Sequence, residues 1–160
     1  MAGLTSSRNT PELSDGARLR VFGVEANTNV YLGGILALDA NGYAVPASAT
    51  TTTTNALRII GRADKVVDGI PGENAINNPG AAGAISVTAR KGVFLYDQDN
   101  SITMADLGAI CFALDDHTLT ATDRANGASV QQYAAAGQVI ALDPSGQVWV
   151  DFWHQSSTAA

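Results

Sequence analysis

Three stretches of this chain share a tripeptide and raise the question of a shared chemistry: ALDANGYAV at 37–45, ALDDHTLTA at 113–121 and ALDPSGQVW at 141–149. Each sets an aspartate (Asp39, Asp115 or Asp143) between an apolar stretch and turn-forming residues. Carboxylates gathered in one cleft do acid–base work or hold a cation. An aspartate at the head of a turn does something simpler, accepting hydrogen bonds from backbone amides two residues on. Three hairpins built alike account for three aspartates without chemistry, and the spacing favours that reading.

The remaining reactive residue types point the same way. His117 lies in the Asp-Asp-His-Thr turn and reads as a solvated turn residue; His154 reads as a tail or interface residue. No Gly-x-Ser-x-Gly elbow accompanies either. Asp97, Asp99 and Asn100 in DQDNS have the look of a calcium loop, but the glycine at position six and the distant glutamate are missing, so a polar turn is expected. Cys111 is the single cysteine, so no intrachain disulfide can form, and within LGAICFAL it reads as a buried, inert thiol. GRADKVVDG and NPGAAGA lack phosphate-loop or dinucleotide spacing. The expectation is no enzyme, with no catalytic, cofactor-binding or metal-ligating residue.

The elements that would position these residues are short strands. ARLRVFGV (17–24) alternates around Leu19 and Val21. VYLGGILAL (30–38) and YAVPA flank Asp39-Ala40-Asn41-Gly42, and Asn-Gly is a strong hairpin signal because both residues tolerate positive φ. ALRIIGRADKVVD (56–68) predicts a strand with a bend at Gly61. AISVTARKGVFLY (84–96) turns Ile85, Val87 and Ala89 inward, with Gly92 predicted as a bulge or bend. ICFAL is predicted to pair with TLTAT, and QVIAL with QVWVDF. Helix is scarce: one turn at Thr103–Leu107, capped by Ser101 or Thr103 and ended by Gly108, and two turns at Ser129–Ala136 closed by Gly137. The threonines at 50–54 are expected in an exposed loop bracketed by Pro46 and Asn55. Many strands at short spacing predict an all-β fold, a barrel or a sandwich.

Bulk properties narrow the function. A chain of 160 residues with 46% apolar content can close a core of one domain's size. Nine basic residues against fifteen acidic ones, a net charge of −6, do not suit a phosphate-backbone binder, so no nucleic-acid partner is expected. MAGLTSSRNTPELSDG holds no apolar core of a secretory leader. The longest apolar run, at 30–38, is far short of the roughly 20 residues of a membrane helix, so no membrane partner is expected and folding in a cytoplasm is.

In VWVDFW, Val148, Val150 and Phe152 point one way, to the core. Trp149, Asp151 and Trp153 point the other, into a second core layer or an exposed aromatic surface of the kind that anchors protein interfaces. The first twenty residues cannot close a core of their own. Pro11 blocks a helix, and Leu4 and Leu13 stand isolated among polar residues. The expected organisation is an extended N-terminal arm at 1–20, a single β domain at 21–154 and a flexible C-terminal tail at 155–160. The arm is expected to order on a neighbour, with Leu4 and Leu13 in pockets and Arg8, Arg18 and Arg20 meeting carboxylates.

The order of pieces also carries a resemblance. Gly61-Arg62-Ala63-Asp64 is followed by Val66-Val67-Asp68, then by Lys91-Gly92-Val93-Phe94 and Ala105-Asp106-Leu107-Gly108. Asp115-Asp116-His117-Thr118 and the closing Gly146-Gln147-Val148-Trp149-Val150 complete the series. Over residues 56–152 this resembles the capsid cement, or decoration, proteins of Mu-like and related tailed phages. The resemblance implies a small β-barrel or β-tulip-like domain and a minor capsid protein of the virion. It further implies binding to the outer surface of the major capsid protein shell, stabilisation of that shell, and homotrimers. Assembly in the host cytoplasm and no cofactor go with it. The arm residues Leu4, Arg8, Leu13, Arg18 and Arg20, with Trp149 and Trp153, are then the expected partner interface. The competing reading is a β-module of a phage head fibre or tail that recognises carbohydrate or a cell surface through the tryptophans.

Overall fold

A computed structural model of the chain describes residues 3–11, 19–66 and 74–152, with backbone alone at Lys65 and Val66. The fold is all-β, as the strand spacing predicts. Twelve strands are seen among the described residues. β1 (Leu19–Gly23), β3 (Ile35–Leu38), β4 (Ala44–Pro46), β5 (Arg58–Val66) and β7 (Ser86–Arg90) form a five-stranded antiparallel sheet in the order β1-β7-β5-β3-β4. β8 (Val93–Gln98), β9 (Ile110–Ala113), β10 (Thr118–Thr120), β11 (Ala134–Leu142) and β12 (Val148–Asp151) close into a barrel in the order β10-β8-β12-β11-β9, all antiparallel except β10 with β8. β2 (Thr28–Val30) and β6 (Ala75–Asn77) pair as a separate ribbon.

The barrel and the sheet share a core. Phe94, Tyr96, Leu119, Val139, Val148, Val150 and Phe152 fill the barrel, and Ile35, Ala37 and Ile59 of the sheet pack into the same cluster. Leu36 turns the other way, into a second cluster with Val24, Val30, Ala63 and Val87. β3 is therefore buried on both faces, which is why ILAL reads as an unbroken apolar run rather than an alternation. Burial of each large side chain contributes about 1.5–3 kcal/mol. The Phe152 ring is tilted 5.9 Å from Phe94 and edge-on 5.7 Å from Tyr96, a geometry that adds to the area term. The Tyr96 hydroxyl, fully buried, donates to the Gly33 carbonyl at 2.8 Å, so its polar end is satisfied.

Local predictions of turn chemistry are realised. Asp39 N–H donates to Tyr43 O at 3.0 Å, closing the Asn-Gly hairpin between β3 and β4. Gly61 adopts φ +139°, and the β3–β5 register slips beside it. The turn Met104–Asp106 is 3₁₀, with Thr103 and Asp106 forming a reciprocal capping box and Gly108 following at φ +83°. Asp99 accepts from the Ser101 amide at 3.0 Å with Asn100 at φ 68°, a polar turn. The threonines at 51–54 are exposed and form no strand.

Three expectations are corrected. The run 30–38 is not one strand: Val30 ends β2, and the chain turns at Gly33–Gly34 before entering β3. The run 84–96 is likewise not one strand: Gly92 is the bend of the two expected alternatives, and there the chain leaves the sheet (β7) for the barrel (β8), a crossing made in two residues. Ser129–Ala136 is not helical. From Ala134 the segment enters β11, because Ala134 and Ala136 alternate into the barrel core and Gly137 lies too close to the Asp151 carbonyl to carry a side chain.

The described part of the N-terminal arm, residues 3–11, lies on its own chain and acts as a strap across the Gly33–Gly34 turn. Arg8 N–H donates to Leu32 O at 2.9 Å, and the Thr10 hydroxyl to Gly33 O at 2.8 Å. Arg62 reaches Thr10 O at 2.6 Å, and Leu95 N–H reaches Pro11 O at 3.3 Å. A Cβ on Gly33, at φ +85°, would collide with the Arg8 carbonyl. The arm boundary also moves: Leu19 and Arg20 belong to β1, an edge strand of the sheet.

Candidate functional site

The β9–β10 hairpin carries ALDDHT at its tip, and the tip is buried. Leu114 N–H donates to Thr118 O at 2.9 Å, which fixes a tight turn. One oxygen of Asp115, Oδ1, accepts from the amides of His117 (3.0 Å) and Thr118 (2.8 Å). That is the predicted Asx turn. Asp116, beside it, takes a different partner: both its oxygens accept from the Leu4 amide of the strap, at 2.9 and 3.1 Å. Its carbonyl accepts from Ile35 N–H at 2.6 Å, tying the hairpin to β3. His117 is not a solvated turn residue. Its Nδ1 stands 2.9 Å from Asp116 Oδ1 and 3.1 Å from Asp115 Oδ1, with the side chain only 22% exposed.

Leu4, Leu114, Asp115 and Asp116 line a cavity of about 470 Å³. Its floor is the Asp115–Asp116 pair with Leu114; the strap contributes Gly3 and Leu4, and β2 and its continuation contribute Asn29 and Tyr31. Pro46 and Ala47, the exposed Ser48 and Ala49, and Tyr133 complete the wall. Two of the lining residues each hold one buried side-chain oxygen without a hydrogen-bond partner, Asp115 Oδ2 and Asn29 Oδ1. Buried acceptors of this kind are rare in folded proteins and costly when left unmade. Sequence reasoning missed the cavity. The available signal was the second aspartate, since an Asx turn needs one acid and ALDDHT has two.

The other two ALD turns sit elsewhere and are satisfied. Asp39 Oδ1 accepts from the amides of Asn41 and Tyr43, both at 2.9 Å. Desolvation opposes ionisation there, but backbone hydrogen bonds led by Tyr43 hold the carboxyl below its ordinary value. Asp143 accepts from the Ser145 amide at 2.9 Å and from the Ser145 hydroxyl, which together hold its carboxyl low. Asp39, Asp115 and Asp143 occupy three separate hairpins. Cys111 is buried, and desolvation pushes its thiol up to about 12, the inert state expected of it.

The residues expected to meet a partner divide into three groups. Leu4 and Arg8 are used within the chain. Leu4 lines the cavity, and Arg8 forms a two-pronged pair with Asp97 (2.8 and 3.4 Å) above the Tyr96 ring, its side chain 16% exposed. The arm therefore does not hold these two in reserve. A carboxylate on the same chain wins because pairing with it loses no freedom of a second molecule. Arg20 stands exposed on β1, and Trp149 is half-buried on the outer face of β12, opposite the buried Val148 and Val150. Leu13, Arg18 and Trp153 lie outside the described residues, as does His154. Comparison with protein-family models, with curated proteins and with solved structures finds no match to this chain.

Proposed function

We propose that this protein is a virion structural protein, a capsid cement or decoration protein that binds the outer surface of a major capsid protein shell as a homotrimer and stabilises it. The reading begins from the resemblance over residues 56–152. The observation that carries it further is that two apolar surfaces stand exposed on different sheets, since a clamp must hold at least two neighbours. The first is the edge strand β1, where Leu19 (49% exposed) and Val21 (54%) flank Arg20, and β1 pairs among the described residues only with β7. Such an edge offers unpaired backbone groups to an added strand. The second lies on the barrel, where Met104 (67%) and Leu107, in and after the 3₁₀ turn that contacts β11, are exposed, as is Ile140 of β11.

The role is structural rather than enzymatic, with the outer capsid surface as its place and without nucleic acid or membrane as partner. Adding the purified protein to shells that lack it and imaging them by cryo-electron microscopy tests the reading. Trimeric density at local threefold positions is expected, and it should thin out with Val21→Lys or Met104→Lys while melting temperature holds. Bare shells at saturating protein would sink the proposal. Specific signals on a glycan array would favour the carbohydrate-binding alternative.

A further inference from the structure

We infer that Asn126 is a site of covalent self-modification, where the side-chain amide is lost to water and an aspartyl or iso-aspartyl residue is left. The chemistry favours an asparagine followed by glycine. The backbone nitrogen of the second residue attacks the side-chain carbonyl carbon of the first, and glycine, lacking a Cβ, leaves that approach open. The chain holds two such pairs, Asn41-Gly42 and Asn126-Gly127. Both asparagines are exposed, so neither sequence nor solvent access separates them. Their turns do.

The attacking nitrogen decides. Gly42 is the last residue of its turn, and its N–H donates to the Asp39 carbonyl at 3.2 Å. Asp39 Oδ1 holds the amides on either side, those of Asn41 and Tyr43, both at 2.9 Å. A nitrogen held in this way must give up its hydrogen bond before it can attack. Gly127 is instead the third residue of a turn closed by Ala128 N–H on Ala125 O at 3.0 Å. Its own N–H has no hydrogen-bond partner among the described residues. Beyond the chain neighbours, no heavy atom lies within 4 Å of the place a Cβ would take on either glycine, so hydrogen bonding and not crowding distinguishes them. A third exposed asparagine, Asn100, precedes Ser101, whose amide is held by Asp99 Oδ1 at 3.0 Å. The base of the 121–133 loop is meanwhile fixed. The Gln132 and Tyr133 amides donate to Asp123 O at 2.9 and 3.0 Å, and Gln132 Oε1 accepts from the Ala125 amide at 3.0 Å. Reaction at the tip therefore needs no unfolding.

In the first step the Gly127 nitrogen gives its proton to hydroxide and bonds to Asn126 Cγ. The bond from Cγ to the side-chain nitrogen breaks, and ammonia leaves. Water then opens the cyclic imide at one of its two carbonyls, giving aspartate, or iso-aspartate with the backbone routed through Cβ and Cγ. Nothing is oxidised or reduced; one water enters and one ammonia departs. Each event adds a negative charge to a chain already at −6.

The full chain, folded or in urea, is kept in mildly alkaline buffer made with H₂¹⁸O, and peptide mass mapping follows heavy-oxygen uptake at each asparagine. In the folded chain Asn126 should convert about tenfold faster than Asn41, the factor that breaking one hydrogen bond represents. In urea both turns are lost, and the two rates should converge. An iso-aspartyl methyltransferase with a labelled methyl donor should mark the peptide containing residue 126 in folded protein. The inference is overturned if Asn126 stays intact in the folded chain or if Asn41 keeps pace with it there. It is equally overturned if the rate difference persists in urea, which would place the cause in neighbouring side chains and not in the turns.

Discussion

At Asp143 a carboxylate takes the Ser145 amide and hydroxyl, and its neighbours Pro144, Ser145 and Gly146 stand in solvent. At Asp115 a carboxylate takes two amides through one oxygen and holds the other, bare, inside the protein. The two turns open on the same tripeptide. Their difference lies in what surrounds them: the β11–β12 hairpin ends in water, whereas the β9–β10 hairpin ends against β3, the strap and the cavity. An exposed Asx aspartate can be neutral to everything but its turn. A buried one with a free oxygen carries a cost that packing does not offset, and such costs persist where a site needs them.

The largest break in this comparison comes from removing what buries the Asp115 turn. Deleting residues 2–11 should cost about 3 kcal/mol or more, or about 10 °C in melting temperature, through the loss of the Arg8–Asp97 pair and the hydrogen bonds of Thr10 and Pro11. An unchanged melting curve would mean the strap lies on the domain without holding it. Asp115→Ala comes next, with a loss of about 2 kcal/mol in urea unfolding and a clearly smaller loss for Asp143→Ala, because only the first leaves two amides unpaired in a buried turn. Equal losses would erase the distinction between the two turns.

Asp115→Asn and Asp143→Asn sharpen it from the other side. Both keep the turn acceptor, so both should leave the urea unfolding midpoint close to that of the parent chain. The smallest effect is in pH. The Asp97 carboxyl is held below its ordinary value, with desolvation opposing the shift and the Arg8 and Gln147 hydrogen bonds overcoming it. A depressed folded-state value gives stability that is present above the unfolded value near 3.8 and lost as pH falls through the lower folded value. Because Asp97 is largely solvated, the contribution should be under about 1 kcal/mol. Arg8→Met should flatten stability between roughly pH 5 and 3 relative to the parent chain; an unaltered slope would show the pair to be inert.

What the sequence made legible was local. The three Asx turns, the Asn-Gly hairpin, the capped 3₁₀ turn and the pairings of β9 with β10 and β11 with β12 each depend on residues within a few positions of one another. What it hid depends on distance along the chain. SVTARKGVFLY reads as one run because both β7 and β8 are apolar and Lys91-Gly92 is a short joint; only the sheets' separate cores make it two strands. The alanines at 134–136 favour helix locally and become strand because the barrel has room for small side chains there. The cavity draws Asn29, Tyr31, Tyr133 and the Asp115–Asp116 pair from three distant segments, and no spacing rule gathers them. From sequence the strap reads as an arm for a neighbour because its own partners, Asp97 and Asp116, lie so far downstream.

That distance sets an order of events during synthesis. The Leu4 amide and the Asp116 carboxylate are 112 positions apart, and a ribosome adding roughly 5–20 residues per second delivers the second about 6–22 s after the first. Until then Arg8 and Thr10 can already bond to the Leu32 and Gly33 carbonyls, but the Leu4 amide waits for its acceptor. Leu4 is thus fixed long after it is made, once the β9–β10 hairpin has arrived to receive its amide.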